Sequence, residues 1–587
     1  MIAALVTVTA LVASACESSQ DSQGIDGAAV VVPEQAAVTV DPVRVKWADL
    51  DPQKGPAQSD CEKNEGWLGL YDFGLARVPK GVLSIDGERV AFQKAGWEFS
   101  NPEDPTQSFA FHSGVWLLPM MAERPQRVVD LLVDQASASP DPMADDALVA
   151  PGAVDKDVLR AAGWVEGQVT LRMRTVNCAF DLTGDRRLRP VMKALVKANL
   201  DPERYYGPPK RAAHNHGLLA NQALRRAGEL FNRPQWVARS QERSAELSAG
   251  YWSECGMTKE QATSYHVYNL NLWEQEVEYL SGDVADRVYA DIEKARSALA
   301  ALARPDGQLE AIGESWRIAD VSERPGGWLW CPFEDGGGGW AAAHTESPGF
   351  SQHHTVRFGP GPRFHGTPDH GSPTWFVQTG QGSVAVVSDP GRFGTERDQR
   401  WDWMHSPSGA STFERVGAPL IGGTTGVRSF DDWHLRYTLT TALKGGTQER
   451  ELTFGRQAPV LVVADTFTPA PGEEWIENTF RQHWILAPGW QPAKGHTARN
   501  GDHRLSLVCL AESGPMPAAQ QWVEFYPEHG SVERALEVYC QSTATGSTEM
   551  TAILLVDQDV PTVTVQSIQT DQVTVGLETS PAQITGL

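Results

Sequence analysis

A chain of 587 residues can bury a large hydrophobic interior but exceeds what one core usually serves, so two domains are the starting expectation. With 41% hydrophobic and 21% charged residues the composition is that of a soluble globular protein, and a net charge of −24 excludes nucleic acid as the main partner. The same acidity means that a polyanionic ligand needs a local basic lining; Lys210 and Arg211 are candidates, with a solvated loop as the plain alternative.

Residues 1–16 are apolar with small residues before Cys16, and the chain turns polar at once afterwards. This resembles a bacterial lipoprotein signal peptide with Cys16 as the lipidated residue, although no Lys or Arg precedes Arg44; an ordinary cleaved signal is the alternative. Either way the expected location is extracytoplasmic, as a cell-surface lipoprotein or a secreted protein, with any membrane contact made only through a lipid anchor. Residues 17–45 lack periodicity and read as a flexible tether. The six other cysteines (Cys61, Cys178, Cys255, Cys331, Cys509, Cys540) suit an oxidising compartment, and no C-x-x-C pair points to a thiolate metal site.

From about 150 to 320 the pattern is helical. Leu188, Val191, Leu195 and Ala198, then Leu219, Ala223, Ala227 and Leu230, then Val284, Val288, Ile292, Ala295 and Leu299 recur at spacings of three and four. Beyond the glycine-rich stretches at 325–327 and 336–339 the period changes to short β-branched and aromatic runs such as Val384–Val387, Leu435–Leu439 and Val460–Val463, separated by turn residues. A helical domain over 46–325 followed by an antiparallel β-sandwich over 326–587 is the resulting expectation. The 20 Trp residues suit sugar stacking, but packing is the commoner use.

Two polar segments sit on the helical pattern: His214-Asn215-His216-Gly217 and Ser264-Tyr265-His266-Val267-Tyr268. A third, His365-Gly366-Thr367-Pro368-Asp369-His370, lies in the β half. An amide, imidazoles and phenols suit a reaction that neutralises a carboxylate, removes the proton beside it and protonates a leaving oxygen. Each segment also has a structural reading: Asn215 as a helix N-cap, Tyr265 as a half-buried core residue, and His266, turned away from Tyr265, as structural.

Asn215-His216-Gly217, Thr258 to His266, Ile312-Gly313-Glu314-Ser315, His365 to Ser372 and Ser388-Asp389-Pro390-Gly391, in that order, resemble the heparinase II/III-like polysaccharide lyases and their alginate-lyase relatives. The resemblance implies an incomplete (α/α) toroid followed by an antiparallel β-sandwich, with β-elimination on a uronic-acid polysaccharide in the cleft between them. It implies Asn215 as the group that neutralises the uronate carboxylate, His216 sharing that task or acting as base, Tyr265 as the acid and His365 completing the site. Arg211, Glu260 and Gln261 join Asn215 as substrate-binding candidates. Some relatives hold a structural zinc; here Thr367 and Ala410 or Ser411 stand at two ligand positions, leaving Asp389 with His405 nearby as weak metal candidates, so no cofactor is expected. A toroid glycoside hydrolase using Glu260, Glu314 or Asp369, or a glycan-binding surface lipoprotein without catalysis, are the competing readings.

Overall fold

The computed structural model describes residues 111–121, 124–141, 163–206, 214–318, 327–333, 338–359, 365, 370–394, 398–418, 420–430, 434–493, 497–528 and 530–557, with Trp97 and short strands at 4–9, 82–85, 88–91, 562–569 and 572–578. Cys16, the 17–45 tether, Arg211 and the stretch 319–326 that holds the expected domain boundary lie outside these residues.

The helical half contains α1 (Pro125–Ala138), α2 (Glu166–Thr183), α3 (Leu188–Leu200), α4 (Asn215–Leu230), α5 (Pro234–Ser248), α6 (Thr263–Glu276) and α7 (Gly282–Leu302). The periodic residues of α3 and most of those of α4 and α7 are buried, as their spacing requires. α1 falls inside the expected 46–325 helical domain but precedes the stretch from about 150 where the helical period is apparent. It starts at Pro125, whose ring suits the first turn, and buries Val128, Val129, Leu131 and Leu132.

α4 is pinned on four sides. Asn177 of α2 donates to the Ala223 carbonyl (3.1 Å), Asn199 of α3 to the Ala220 carbonyl (3.2 Å) and Ser240 of α5 to the Asn221 carbonyl (2.8 Å), while Gln222 reaches the Leu272 carbonyl of α6 (3.3 Å). Each bond satisfies a buried polar side chain and fixes the height of α4 against a neighbour, which sets the position of its N-terminus.

The β half opens with an antiparallel five-stranded sheet, β1 (Trp328–Pro332), β2 (Gly339–Ser347), β3 (Phe350–Phe358), β4 (His370–Thr379) and β5 (Gly382–Val387), in sequence order. A nine-stranded sheet built from segments between Leu420 and Val556 and a four-stranded sheet of Phe413–Arg415, Glu477–Ile485, Ala518–Phe525 and Glu533–Thr545 complete it. Trp375 and Val377 of the first sheet, Leu435, Tyr437 and Leu461 of the second, and Phe480, Trp484 and Leu536 of the third share one core, which makes this half a sandwich. The expected order, toroid then antiparallel sandwich, is the architecture found.

The two halves are not separate bodies. A second core joins Leu270, Trp273, Ile292 and Leu299 of the helices to Leu329, Cys331, Trp340 and Ala342 of β1 and β2. The Cys255–Cys331 disulfide ties the loop before α6 to β1, and Cys509–Cys540 staples two sandwich strands. Cys178 is also disulfide-bonded. No helix among the described residues is long and apolar enough to cross a membrane; within the apolar N-terminal segment, Ala4–Thr9 pairs as a strand with Gln572–Leu577.

Candidate active site

Three chain segments are sewn together where the halves meet. The Thr263 amide donates to the Ile312 carbonyl (3.1 Å), the Glu314 amide to the His365 carbonyl (2.8 Å) and the His365 amide to the Glu260 carbonyl (3.3 Å). Glycine is required at 313: its φ is +75°, and a Cβ there would lie 2.8 Å from the Gln261 carbonyl oxygen and 3.0 Å from that of His365. The Ile-Gly-Glu-Ser segment therefore exists to let the main chain of the helical half touch the segment carrying His365.

On this frame the Tyr265 ring, from the first turn of α6, stacks on the His365 imidazole with centroids 3.5 Å apart and planes within 10°. His365 Nδ1 lies 3.0 Å from Glu314 Oε2, and its Nε2 lies 3.6 Å from Glu260 Oε2. Glu314 is a hub: Arg392 Nη1 donates to Oε2 at 2.9 Å and His405 Nε2 lies 3.1 Å from Oε1. Burial would push the Glu314 carboxyl up, but hydrogen bonds from His365 and His405 and the charge of Arg392 outweigh it and hold the group at about 2. Trp316 closes the rim by donating its indole N–H to the Arg392 carbonyl (2.5 Å).

Asn215 stands at the first position of α4, where unpaired backbone N–H groups and the helix dipole favour an anion. The N-cap is His214, whose Nδ1 accepts from the His216 amide at 3.3 Å, so the capping reading of Asn215 gives way to a position one residue inside the helix. The Asn215 backbone amide donates to Glu260 Oε1 at 3.0 Å, which joins it through one carboxylate to His365. Its carboxamide makes no hydrogen bond among the described residues.

The structure brings Tyr265 and His365 into contact and Asn215 to their supporting carboxylate, but not His216. Its Nδ1 faces Glu166 of α2 at 3.9 Å, and neither hydrogen bond nor ring contact links it to Tyr265 or His365. Glu260 and Gln261, expected among the substrate contacts, are each 1% exposed. Glu260 is held by Asn215 and by the Asn269 carboxamide (2.9 Å), and Gln261 accepts from Arg357 Nη2 at 2.9 Å, so both support the site from beneath. His266 is buried against the Ala295 carbonyl (3.0 Å), and burial lowers it to about 4, in keeping with a structural role. Of the His365–His370 cluster, residues 366–369 lie outside the described residues.

The weak metal candidates Asp389 and His405 both have protein partners. Asp389 Oδ1 accepts from the Gly391 amide (3.1 Å), while His405 spends its nitrogens on Glu314 and, at 2.8 Å, the Trp401 carbonyl. Among the described residues no group of three or more His, Cys, Asp or Glu is arranged to hold one. The part of the site that sequence reasoning missed is the tie from Glu314 to Arg392 and His405. In the sequence Glu314 reads only as a candidate hydrolase acid, and Arg392, the residue after Pro390-Gly391, carries no pattern of its own.

A helical toroid joined to an antiparallel sandwich, with a phenol, an imidazole and a helix N-terminus at the junction, defines a polysaccharide-lyase-like architecture. No protein-family model and no curated protein matches the chain. Solved structures do: a heparinase III at 11% identity and TM-score 0.62, covering 84% of this chain and 86% of that one; a heparan sulfate lyase HepC mutant from Pedobacter heparinus at 14% and 0.54, covering 91% of each; and a heparinase III described as the BT4657 gene product at 13% and 0.55, covering 82% and 87%. The chain has the heparinase III-like polysaccharide lyase fold.

Proposed function

We propose that the protein is a polysaccharide lyase that cleaves a uronic-acid-containing glycan by β-elimination. The observation that carries the reading is the Tyr265–His365 pair, stacked at 3.5 Å at the junction of toroid and sandwich and braced by two carboxylates. The proton on the carbon next to a carboxylate is very weakly acidic until the carboxylate's charge is offset, so neutralisation must come first. The Asn215 carboxamide at the start of α4 supplies it. The phenolate of Tyr265 takes that proton, the electron pair left behind forms the double bond as the neighbouring glycosidic C–O bond breaks, and Tyr265, now a phenol, delivers the proton to the departing oxygen. The product carries a 4,5-unsaturated uronate at its new non-reducing end.

The glycoside hydrolase alternative needs a carboxyl group poised high enough to act as general acid. Glu314, held at about 2, stays ionised, and the buried Glu260 already serves Asn215 and Asn269. The solved relatives named for heparan sulfate favour an anionic glycan as substrate. Incubating the protein with heparan, chondroitin, hyaluronan, alginate, glucuronan and capsule preparations tests the reading: ultraviolet absorbance from the conjugated uronate is expected with one of them, and release of sugar ends without that absorbance would replace the lyase by a hydrolase. Anchoring through Cys16 outside the cytoplasm is part of the same proposal, since polymeric glycans are met there; lipid labelling lost in Cys16→Ser tests it.

A further inference from the structure

Residues 186–197 hold five Lys or Arg and no Asp or Glu. With 50 Lys and Arg against 74 Asp and Glu in 587 residues, twelve positions would ordinarily carry about one base and one or two acids. With this +5 set aside, the rest of the chain stands at −29. The bases are ordered by α3. Leu188, Val191, Met192, Leu195 and Val196 turn inward, which leaves Arg189, Lys193 and Lys197 exposed along the outer face and Arg186 exposed just ahead of the helix.

The fold gains nothing from this arrangement. Arg189, Lys193 and Lys197 are like charges four residues apart, which repel on a helix face. Arg186, Arg187 and Arg189 crowd the end of α3 where the dipole favours an acid, and the first turn has none. Acids at this end are matched elsewhere: Asp130 and Asp185 with Arg187 (2.9 and 2.8 Å) and Asp181 with Arg226 (3.0 Å). Arg189 packs over the Phe180 ring at 5.8 Å, and Arg186, Arg189 and Lys193 form no ion pair among the described residues. Local choices that work against the helix are expected where a function holds them in place.

We propose that the exposed face of α3 is a docking track for a linear anionic polysaccharide, outside the catalytic junction and leading to it. That the docked polymer is the one cleaved rests on the lyase reading. The Phe180–Phe231 stack (4.1 Å) and the Asp181–Arg226 pair join the end of α2 to the end of α4, so α3 starts about 24 Å along the 16-residue α4 from Asn215. At the other end of α3, Asn199 bonds the Ala220 carbonyl in the second turn of α4. The track therefore runs from the far end of the helical half towards the end that presents Asn215. Guanidinium and ammonium groups spaced along a helix match sulfates or carboxylates repeated along a chain. A single strand can lie on α3 alone, a helix about 10–12 Å across, whereas a bilayer would be set against the acidic remainder of the surface as well.

The triple variant Arg186→Gln, Arg189→Gln, Lys193→Gln tests the proposal. Its lost charges oppose the helix, so it should melt no lower than the unsubstituted protein. Binding of heparan sulfate is measured by calorimetry over a range of salt concentrations, with Tyr265→Phe in both proteins to keep the polymer intact. The triple variant should bind roughly tenfold or more weaker, and its slope of log Kd against log salt should be smaller by about two, because three contacts no longer release counterions. With Tyr265 restored, KM for the polymer should rise at unchanged kcat, while an oligosaccharide short enough to fill only the junction is turned over as before. Unchanged affinity and slope, or no binding of heparan sulfate at low salt by the protein with α3 intact, overturns the track. So does a markedly lower melting temperature, which makes the bases structural, or a loss confined to phosphatidylserine vesicles, which gives the face to a membrane. Binding is read without turnover, so a protein that is not a lyase can still show the track, and a lyase whose binding ignores the three substitutions refutes the track alone.

Discussion

Glu314→Gln removes the charge at the centre of the junction while keeping the side chain's shape. The carboxyl sits at about 2 against an ordinary 4.5, so at ~1.4 kcal/mol per pH unit its interactions with His365, His405 and Arg392 favour the folded state by about 3 kcal/mol at neutral pH. Because the folded value is depressed, this contribution is complete above about pH 5 and is lost as the pH falls through 4.5 towards 2. Linkage gives about 2 kcal/mol remaining at pH 3.5 and about 1 kcal/mol at pH 2.5. Urea unfolding followed by tryptophan fluorescence should therefore show the variant about 3 kcal/mol less stable at pH 7, with the gap narrowing as the solution is acidified. Loss of the buried partner of Arg392 can enlarge the gap at every pH but cannot make it narrow. A gap independent of pH between 7 and 3 would refute the assignment of Glu314 as an ionised hub.

Tyr265→Phe keeps the ring on His365 and removes only the hydroxyl, so elimination should slow by roughly 10²-fold or more with substrate binding nearly unchanged, read as initial rate of ultraviolet absorbance on the substrate found by the panel. On the proposed mechanism Asn215→Ala should abolish elimination and weaken uronate binding as well, measured by calorimetry, because the proposal has its carboxamide bind the ground-state carboxylate. Prolonged chelation should leave melting temperature and rate unchanged, since Asp389 and His405 are committed to protein partners; elemental analysis showing one tightly held zinc per chain would contradict this. Opening Cys255–Cys331 by Cys331→Ser releases a crosslink spanning 76 residues and should cost about 4 kcal/mol in urea unfolding, with activity falling alongside because the loop it anchors leads into Glu260 and Tyr265.

The architecture was legible because burial follows periodicity. Leu188, Val191, Leu195 and Ala198 recur on one face and all lie inside α3, and the alternation in 460–469 puts Leu461, Val463 and Phe467 in the sandwich core. The same rule applied to Val128, Leu131, Leu132 and Gln135 would have found α1, since all four are buried at helical spacing. Tyr265 and His365 were legible as chemistry, but their stacking was not, because the contact is made by the fold across a hundred residues. Glu314 shows the limit most clearly: its partners are 51, 78 and 91 residues away, and no local pattern tells a carboxylate that three distant hydrogen-bonding side chains will hold ionised from one poised to give up a proton. The hydrolase reading makes Glu314 a general acid, and that role is excluded only once those neighbours are in place. What the sequence did carry was the glycine beside it. Gly313 is needed because a Cβ there would collide with the carbonyl oxygens of 261 and 365, so the motif marks the closing point of the site even though the acid that follows could not be given its role from the string of residues alone.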